Sequence, residues 1–128
     1  MALFKIFKDK TGQYRFLLKS NKYQIIFTSK GYSSRVICFS QIQLIKRYAL
    51  KDEIYERQIT HSNSPYFTFK VFKNEVIGIS ENFLNQRTME KIIALIKTNA
   101  LKAEIDKTTY SMSKLFGRSR ENRSGFPL

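Results

Sequence analysis

The sequence predicts an α+β fold built as a tandem repeat, and three observations predict it. Residues 16–54 are written a second time as residues 67–105, at a constant offset of 51 and without a gap. Within each copy, alternating apolar and polar residues give way to apolar spacings of three and four, so strands are followed by a helix. Turn formers punctuate the alternating part, and cap formers stand before the helical part.

Fourteen of the 39 aligned positions are identical. Phe16, Lys19, Lys22, Ile26 and Ser29 recur as Phe67, Lys70, Lys73, Ile77 and Ser80. The run Ala49-Leu50-Lys51-x-Glu53-Ile54 recurs as Ala100-Leu101-Lys102-x-Glu104-Ile105. Chance does not place so many identities at apolar and turn positions.

Residues 3–8, with Phe4, Ile6 and Phe7 among lysines, read as a half-buried strand. Asp9-Lys10-Thr11-Gly12 is a turn, because Asp suits its first position and Gly accepts positive φ at its last. Residues 13–20 form a second strand, with Tyr14, Phe16 and Leu18 on one face and Arg15 and Lys19 on the other. After a short connection at 21–23, residues 24–29 complete a meander. Ser33 or Ser34 caps a helix starting near Arg35, whose apolar face is Cys38, Ile42, Ile45 and Ala49, broadened by Val36, Phe39 and Leu44. Residues 52–57 follow as a strand.

The second copy repeats this plan. Strands are expected at 66–72 and 75–80, then a helix opened by Asn85 or Gln86 with Met89, Ile93, Ile96 and Ala100 inward, then a strand at 103–108. From Thr109 the periodicity stops, and the tail is expected to lack order in isolation. The units therefore span 1–57 and 58–108, with a basic extension at 109–128.

Ser29-Lys30-Gly31-Tyr32-Ser33-Ser34-Arg35, the Ile42-x-x-Ile45-Lys46-x-x-Ala49 spacing and the repeated hairpin together resemble the YegP-like family of small bacterial proteins, named for its unknown function. The resemblance covers about residues 2–108. It implies two β3-α-β units sharing one antiparallel sheet, the last strand of each exchanged into the other half, with both helices packed on the sheet. Lys22-Tyr23 and Lys73-Asn74 stand where the family has Asn-Gly, Gln41 and Ile92 where it has a helix glycine, and Asn82-Phe83 where it has Gly-Tyr. The basic tail is outside the family pattern, and a shared fold does not carry a function.

Chemistry for catalysis is sparse. His61 is the one histidine and reads as a strand-end or loop residue; Cys38, the one cysteine, lies on the apolar helix face and reads as a small core residue. One cysteine excludes an internal disulfide and suits a reducing compartment. No phosphate-cradling glycine motif occurs, and no run approaches the length of a membrane span. The expectation is a cytoplasmic protein that is not an enzyme, with no metal, cofactor, membrane or small-molecule substrate.

Charge points elsewhere. Lys and Arg number 23 against 10 Asp and Glu, a net +13 in 128 residues, which favours polyanionic partners. Lys8, Lys10, Arg15, Lys19, Lys22, Arg35, Lys46 and Arg47 in the first copy, and Lys114, Arg118, Arg120 and Arg123 in the tail, are the candidate RNA-contacting residues. Lysine and arginine engage phosphate without reading sequence, and arginine also stacks on bases. The expected function is binding of structured RNA. In its sharpest form the protein is an accessory, lineage-specific ribosomal protein on rRNA beside ribosomal neighbours, its tail threaded into the particle. The alternative is a free cytoplasmic interaction or stress-related module.

Overall fold

The computed structural model describes residues 2–20, 24–72 and 74–111, without the side chains of Lys107 and Ser111. Strands β1 (Leu3–Lys8) and β2 (Tyr14–Lys19) are joined by the Asp9–Gly12 turn. There Asp9 Oδ1 accepts from the backbone N–H groups of Thr11 (2.9 Å) and Gln13 (3.0 Å), and Gly12 takes φ +85°. β3 (Ile25–Ser29) completes the meander, and helix α1 (Arg35–Tyr48) follows. A 3-10 turn at Asp52–Ile54 leads to β4 (Tyr55–Ile59), β5 (Pro65–Val71) and β6 (Glu75–Ser80). Helix α2 (Gln86–Asn99), a second 3-10 turn at Ala100–Lys102 and β7 (Glu104–Ser111) close the described chain. Ser34 and Asn85 are the caps: their side-chain oxygens accept from the N–H of Ile37 (3.3 Å) and Thr88 (2.8 Å).

The strands form one sheet in the order β4-β5-β6-β3-β2-β1-β7. Each closing strand lies in the opposite half from its helix: β4 follows α1 but pairs with β5, and β7 follows α2 but pairs with β1. The sheet is mixed rather than antiparallel, because β7 runs parallel to β1. The register explains this. Phe4 pairs with Leu18 in hairpin β1–β2, and Tyr55 with Phe69, each 51 residues later, in hairpin β4–β5. The place that β4 takes beside β5 is therefore held beside β2 by β1, and β7 adds outside it. β7 also runs on to Ser111, past the expected end of the repeat at 108.

At the centre, Phe27 pairs with Ser80, Thr28 with Ile79 and Ser29 with Gly78, a local two-fold relation between β3 and β6. Equivalent positions cannot both carry a ring there. A Cβ on Gly78 would lie 2.4 Å from the Phe27 ring, so the second copy holds glycine where the first holds phenylalanine. The repeated serines are structural. Ser29 Oγ accepts from Phe16 N–H and Ser80 Oγ from Phe67 N–H, both at 2.9 Å, and each donates to the next residue's carbonyl.

Both helices cover one face of the sheet. Cys38, Ile42, Ile45 and Ala49 from α1 and its C-cap, and Met89, Ile93, Ile96 and Ala100 from α2 and its C-cap, are all buried against Phe4, Ile6, Phe16, Leu18, Phe67 and Phe69. Tyr32 stacks parallel to Phe16 (6.5 Å between centroids), and Phe83 to Phe67 (6.1 Å). Val36, expected to widen the inward face, is 76% exposed on the outer side of the first turn.

Candidate nucleic-acid interface

The basic candidates of the first copy do not form one patch; the fold sends them to two ends. Lys8 ends β1 and Lys10 lies in the following turn, both exposed. A bridge between Tyr14 and Tyr32, with both N–H···O bonds at 2.7 Å, brings Lys30 to the same end. Lys8 Nζ lies 5.6 Å from the Tyr14 ring and Lys30 Nζ 5.9 Å from the Tyr32 ring, so each aromatic carries a cation at its face. Arg35, half-buried in the first turn of α1, lies over Phe39 at 5.7 Å. Lys30 is absent from the candidates read from sequence, and its signal, a lysine two residues before Tyr32, becomes legible only with the bridge.

Lys19, Lys46 and Arg47 gather at the other end. Lys19 pairs with Leu3 at the far end of β2, and Lys46 sits 6.0 Å from the Phe4 ring. Lys46 is half-buried and donates to the carbonyls of Ala103 (2.5 Å) and Leu101 (3.4 Å), which ties α1 to the chain after α2. Arg47 is exposed in the last turn, where the helix dipole favours a cation. Lys46 and Arg47, with Lys97 and Lys102, line a cleft of about 430 Å³ together with the exposed Leu50 and Leu101; Lys19 is not among its lining residues.

Arg15 leaves the surface set. It is 2% exposed on the helix-free face of β2, with its Nε 3.8 Å from Asp9. Burial pulls its guanidinium below the ordinary value, and Asp9 works against that. The alternation placed Arg15 opposite the core correctly, but that face is also covered here. Lys22, Lys114, Arg118, Arg120 and Arg123 lie outside the described residues.

The two register-equivalent halves of the sheet, residues 1–51 (through α1) and 52–102 (from the first 3-10 turn), differ sharply in charge. Residues 1–51 carry eleven Lys and Arg against one acid, Asp9, which is buried beside Arg15. Residues 52–102 carry seven against six. Acids and bases are paired there: Arg57 binds Glu90 (2.6 Å) and Asp52 (2.9 Å), Lys97 binds Asp52 (2.8 Å) and Lys70 binds Glu56 (2.8 Å). Hydrogen bonds donated by Arg57 and Lys97 hold the Asp52 carboxyl down to about 2, and those that Arg57 donates to Glu90 and Asp52 push its guanidinium up.

Cys38 is free and buried in the helix–sheet core, and burial pushes its thiol up to about 12, away from the reactive thiolate form. His61 is exposed in the turn before β5. Among the described residues no three His, Cys, Asp or Glu side chains group as metal ligands, and no helix is long and apolar enough to cross a membrane.

Residues 9–56, from the first turn into β4, match a family described as a domain of unknown function (DUF1508). The chain is 31% identical over 102 residues to a UPF0339 protein in the ptx operon 5′ region of Stutzerimonas stutzeri, covering 80% of this chain and 92% of that protein. It is 32% identical over 111 residues to the UPF0339 protein YegP of Yersinia pestis, covering 85% and 99%. The solution NMR structure of Escherichia coli YegP, described as a protein of unknown function, superposes with a TM-score of 0.78 at 26% identity, covering 84% of this chain and 93% of that one. Its α+β fold is the one described above. Identity above 30% across nearly the whole length of such relatives places the chain in the UPF0339 family, together with YegP.

Proposed function

We propose that the chain is a non-enzymatic module that binds structured RNA by charge and shape, with its first copy as the contacting half. The observation that carries this reading is the charge asymmetry between two copies that share a strand register. Residues 52–102 fold with seven bases against six acids, so the eleven-to-one excess of residues 1–51, which precede them by one 51-residue offset, is not a requirement of the fold; counted by the units 1–57 and 58–108 the ratios are twelve to four and seven to five. Such an excess raises self-repulsion in the compact state, and a polyanionic partner relieves it. Lys8 and Lys30 over Tyr14 and Tyr32 offer cations beside aromatic faces, the combination that suits phosphates flanking unstacked bases. The tandem β3-α-β organisation, with units at 1–57 and 58–108 and a basic extension beyond, is part of the same proposal: duplication supplies the scaffold, and divergence of one copy supplies the surface.

The test is salt-dependent binding of a folded RNA by fluorescence anisotropy. Lys8→Gln/Lys10→Gln should lower the slope of log K against log salt by about 1.4–1.8, at roughly 0.7–0.9 per phosphate contact. Arg87→Gln/Lys91→Gln, an exposed pair in the second copy, should leave the slope unchanged. Equal losses from both pairs, or no binding near physiological salt, would sink the reading.

The narrower form, a cytoplasmic accessory ribosomal protein contacting rRNA and ribosomal neighbours, is separable by gradient sedimentation of lysate. Co-migration with one subunit at low salt supports it, and a position at the top of the gradient removes it. Family membership favours a second reading, a free cytoplasmic interaction or stress-related module, since the relatives named above are described without a nucleic-acid role. That reading gains if the gradient and the binding assay both return nothing.

A further inference from the structure

We propose that the cleft between the C-terminal ends of α1 and α2 binds an acidic, leucine-bearing amphipathic helix of a partner protein. The inference is independent of the RNA reading. Among the described residues six large apolar side chains are exposed: Val36, Leu50, Ile59, Phe72, Leu84 and Leu101. Four of them have a polar counterpart at the offset of 51: Arg87 stands for Val36, Lys8 for Ile59, Asn21 for Phe72 and Ser33 for Leu84. Leu50 and Leu101 are each other's counterpart, and they are 77% and 71% exposed. Apolar identities elsewhere in the repeat are packed into the core, as at Phe16 and Phe67 or Ile45 and Ile96. Packing within the chain gives no reason to hold leucine at both of these surface positions, and contact with a partner does.

Both leucines line one cleft, and its volume of about 430 Å³ falls in the roughly 300–1,000 Å³ range of recognition pockets. The two copies contribute matching pieces to it, Lys46 with Leu50 and Lys97 with Leu101. Lys46 and Lys97 are already engaged, by the Ala103 carbonyl and the Asp52 carboxylate. Arg47 and Lys102 are exposed, and neither makes an ion pair or hydrogen bond with a described residue. The cleft thus offers two apolar knobs and two free cations within one concave surface.

Charge and apolarity together select the occupant. Four Lys and Arg line the cleft, and no Asp or Glu is among its described lining residues. A second copy of this chain would bring the same four cations against them. An RNA strand would satisfy Arg47 and Lys102 but would set its polar backbone against two leucines. A helix with leucines three and four residues apart and glutamates beside them meets both demands. Its apolar stripe packs on Leu50 and Leu101, and its acids reach Arg47 and Lys102.

Fluorescence anisotropy with a labelled synthetic peptide of that pattern tests the site on the full chain. The native protein should bind it, and Leu50→Ser/Leu101→Ser and Arg47→Gln/Lys102→Gln should each bind about tenfold more weakly or worse. Val36→Ser/Leu84→Ser, which alters exposed apolar residues at the opposite helix ends, should bind as the native chain does. All three variants should keep the native melting temperature, since the altered side chains are exposed; should the leucine variant melt early, the Arg47 and Lys102 pair still decides. Folded RNA should bind Leu50→Ser/Leu101→Ser as it binds the native chain. Failure of the native chain to bind the peptide overturns the proposal. So does equal binding by the leucine variant, which would leave only attraction of acid to a basic surface. Leucine-dependent binding of phosphatidylglycerol vesicles without peptide binding would assign the pair to a lipid surface instead, and a loss of RNA affinity in the leucine variant would make the cleft part of the RNA surface.

Discussion

In hairpin β1–β2 the helix-free positions hold Phe7, Arg15 and Leu17; in hairpin β4–β5 the same positions hold Gln58, Tyr66 and Thr68. On the opposite face the contrast fades, with Phe4 and Tyr55, Phe16 and Phe67, and Leu18 and Phe69 all buried under helices. Backbone pairing is the same in both hairpins, so register does not dictate what the outer face carries. The helix-covered side is constrained by packing in both copies and has stayed alike. The other side has diverged into a buried apolar cluster in one copy and a hydrogen-bonded polar ladder in the other. Charge has diverged in parallel, with nearly all the excess in the copy whose outer face is covered.

The strongest way to break this comparison is to attack the shared face. Phe16→Ala and Phe67→Ala should each cost about 3–5 kcal/mol by denaturant unfolding, since both rings are fully buried and stack on an equivalent aromatic. If one costs under about 1 kcal/mol, the two cores are not equivalent. At the local two-fold centre, Gly78→Ala should cost about 1–3 kcal/mol by the same measurement, because the added methyl meets the Phe27 ring and the Thr28 carbonyl, and the carbonyl has no rotamer to escape into.

The diverged face gives smaller effects that sharpen the contrast. Leu17→Thr, which writes the second copy's residue into the first, should lose about 1–3 kcal/mol from a fully buried site. Thr68→Val removes a hydroxyl that accepts from Gln58 and donates to Glu56 on a partly solvated face, and should cost about 1 kcal/mol or less. Equal costs at the two sites would mean that the outer faces are alike after all.

What the amino-acid pattern made legible was what repeats. The helix faces at Cys38–Ala49 and Met89–Ala100, the serine pair Ser29/Ser80 and the caps Ser34 and Asn85 each recur or obey a local rule, and local rules are visible in one dimension. The direction of β7 was not, since a closing strand has the same alternation whether it runs parallel or antiparallel to its neighbour; only occupancy of the site beside β2 decides it. Val36 was misplaced because one position on the border of an apolar face rotates outward with a small change in helix phase. The burial of Arg15 is a third kind of failure. Alternation reports which face a side chain is on, and cover on that face comes from elsewhere in the chain. For the candidate interface, the sequence carried the charge count, while the division into a Lys8–Lys10–Lys30 end and a Lys46–Arg47 end depended on strand pairing.

The smallest effect concerns the two staples that join the halves. Lys46 reaches the backbone carbonyl of Ala103, and Lys97, its counterpart, reaches the carboxylate of Asp52, the position equivalent to Ala103. One staple thus uses a titratable acceptor and the other does not. The Asp52 carboxyl is held at about 2 against an ordinary 3.8, first by the Arg57 hydrogen bond and then by that from Lys97. A depressed folded value means the stabilisation is complete above pH 3.8 and is lost as pH falls toward 2. The acid side chain is 61% exposed, so solvent screens the pair and the change is modest. Between pH 4 and pH 2 the melting temperature of Asp52→Asn should fall less than that of the native chain, while Lys46→Met should keep the native slope. Glu56 and Asp106, also held low by hydrogen bonds, keep a residual slope in every variant, so the readout is the difference between curves. Parallel curves for native and Asp52→Asn would show that the carboxylate staple contributes no more than its carbonyl twin.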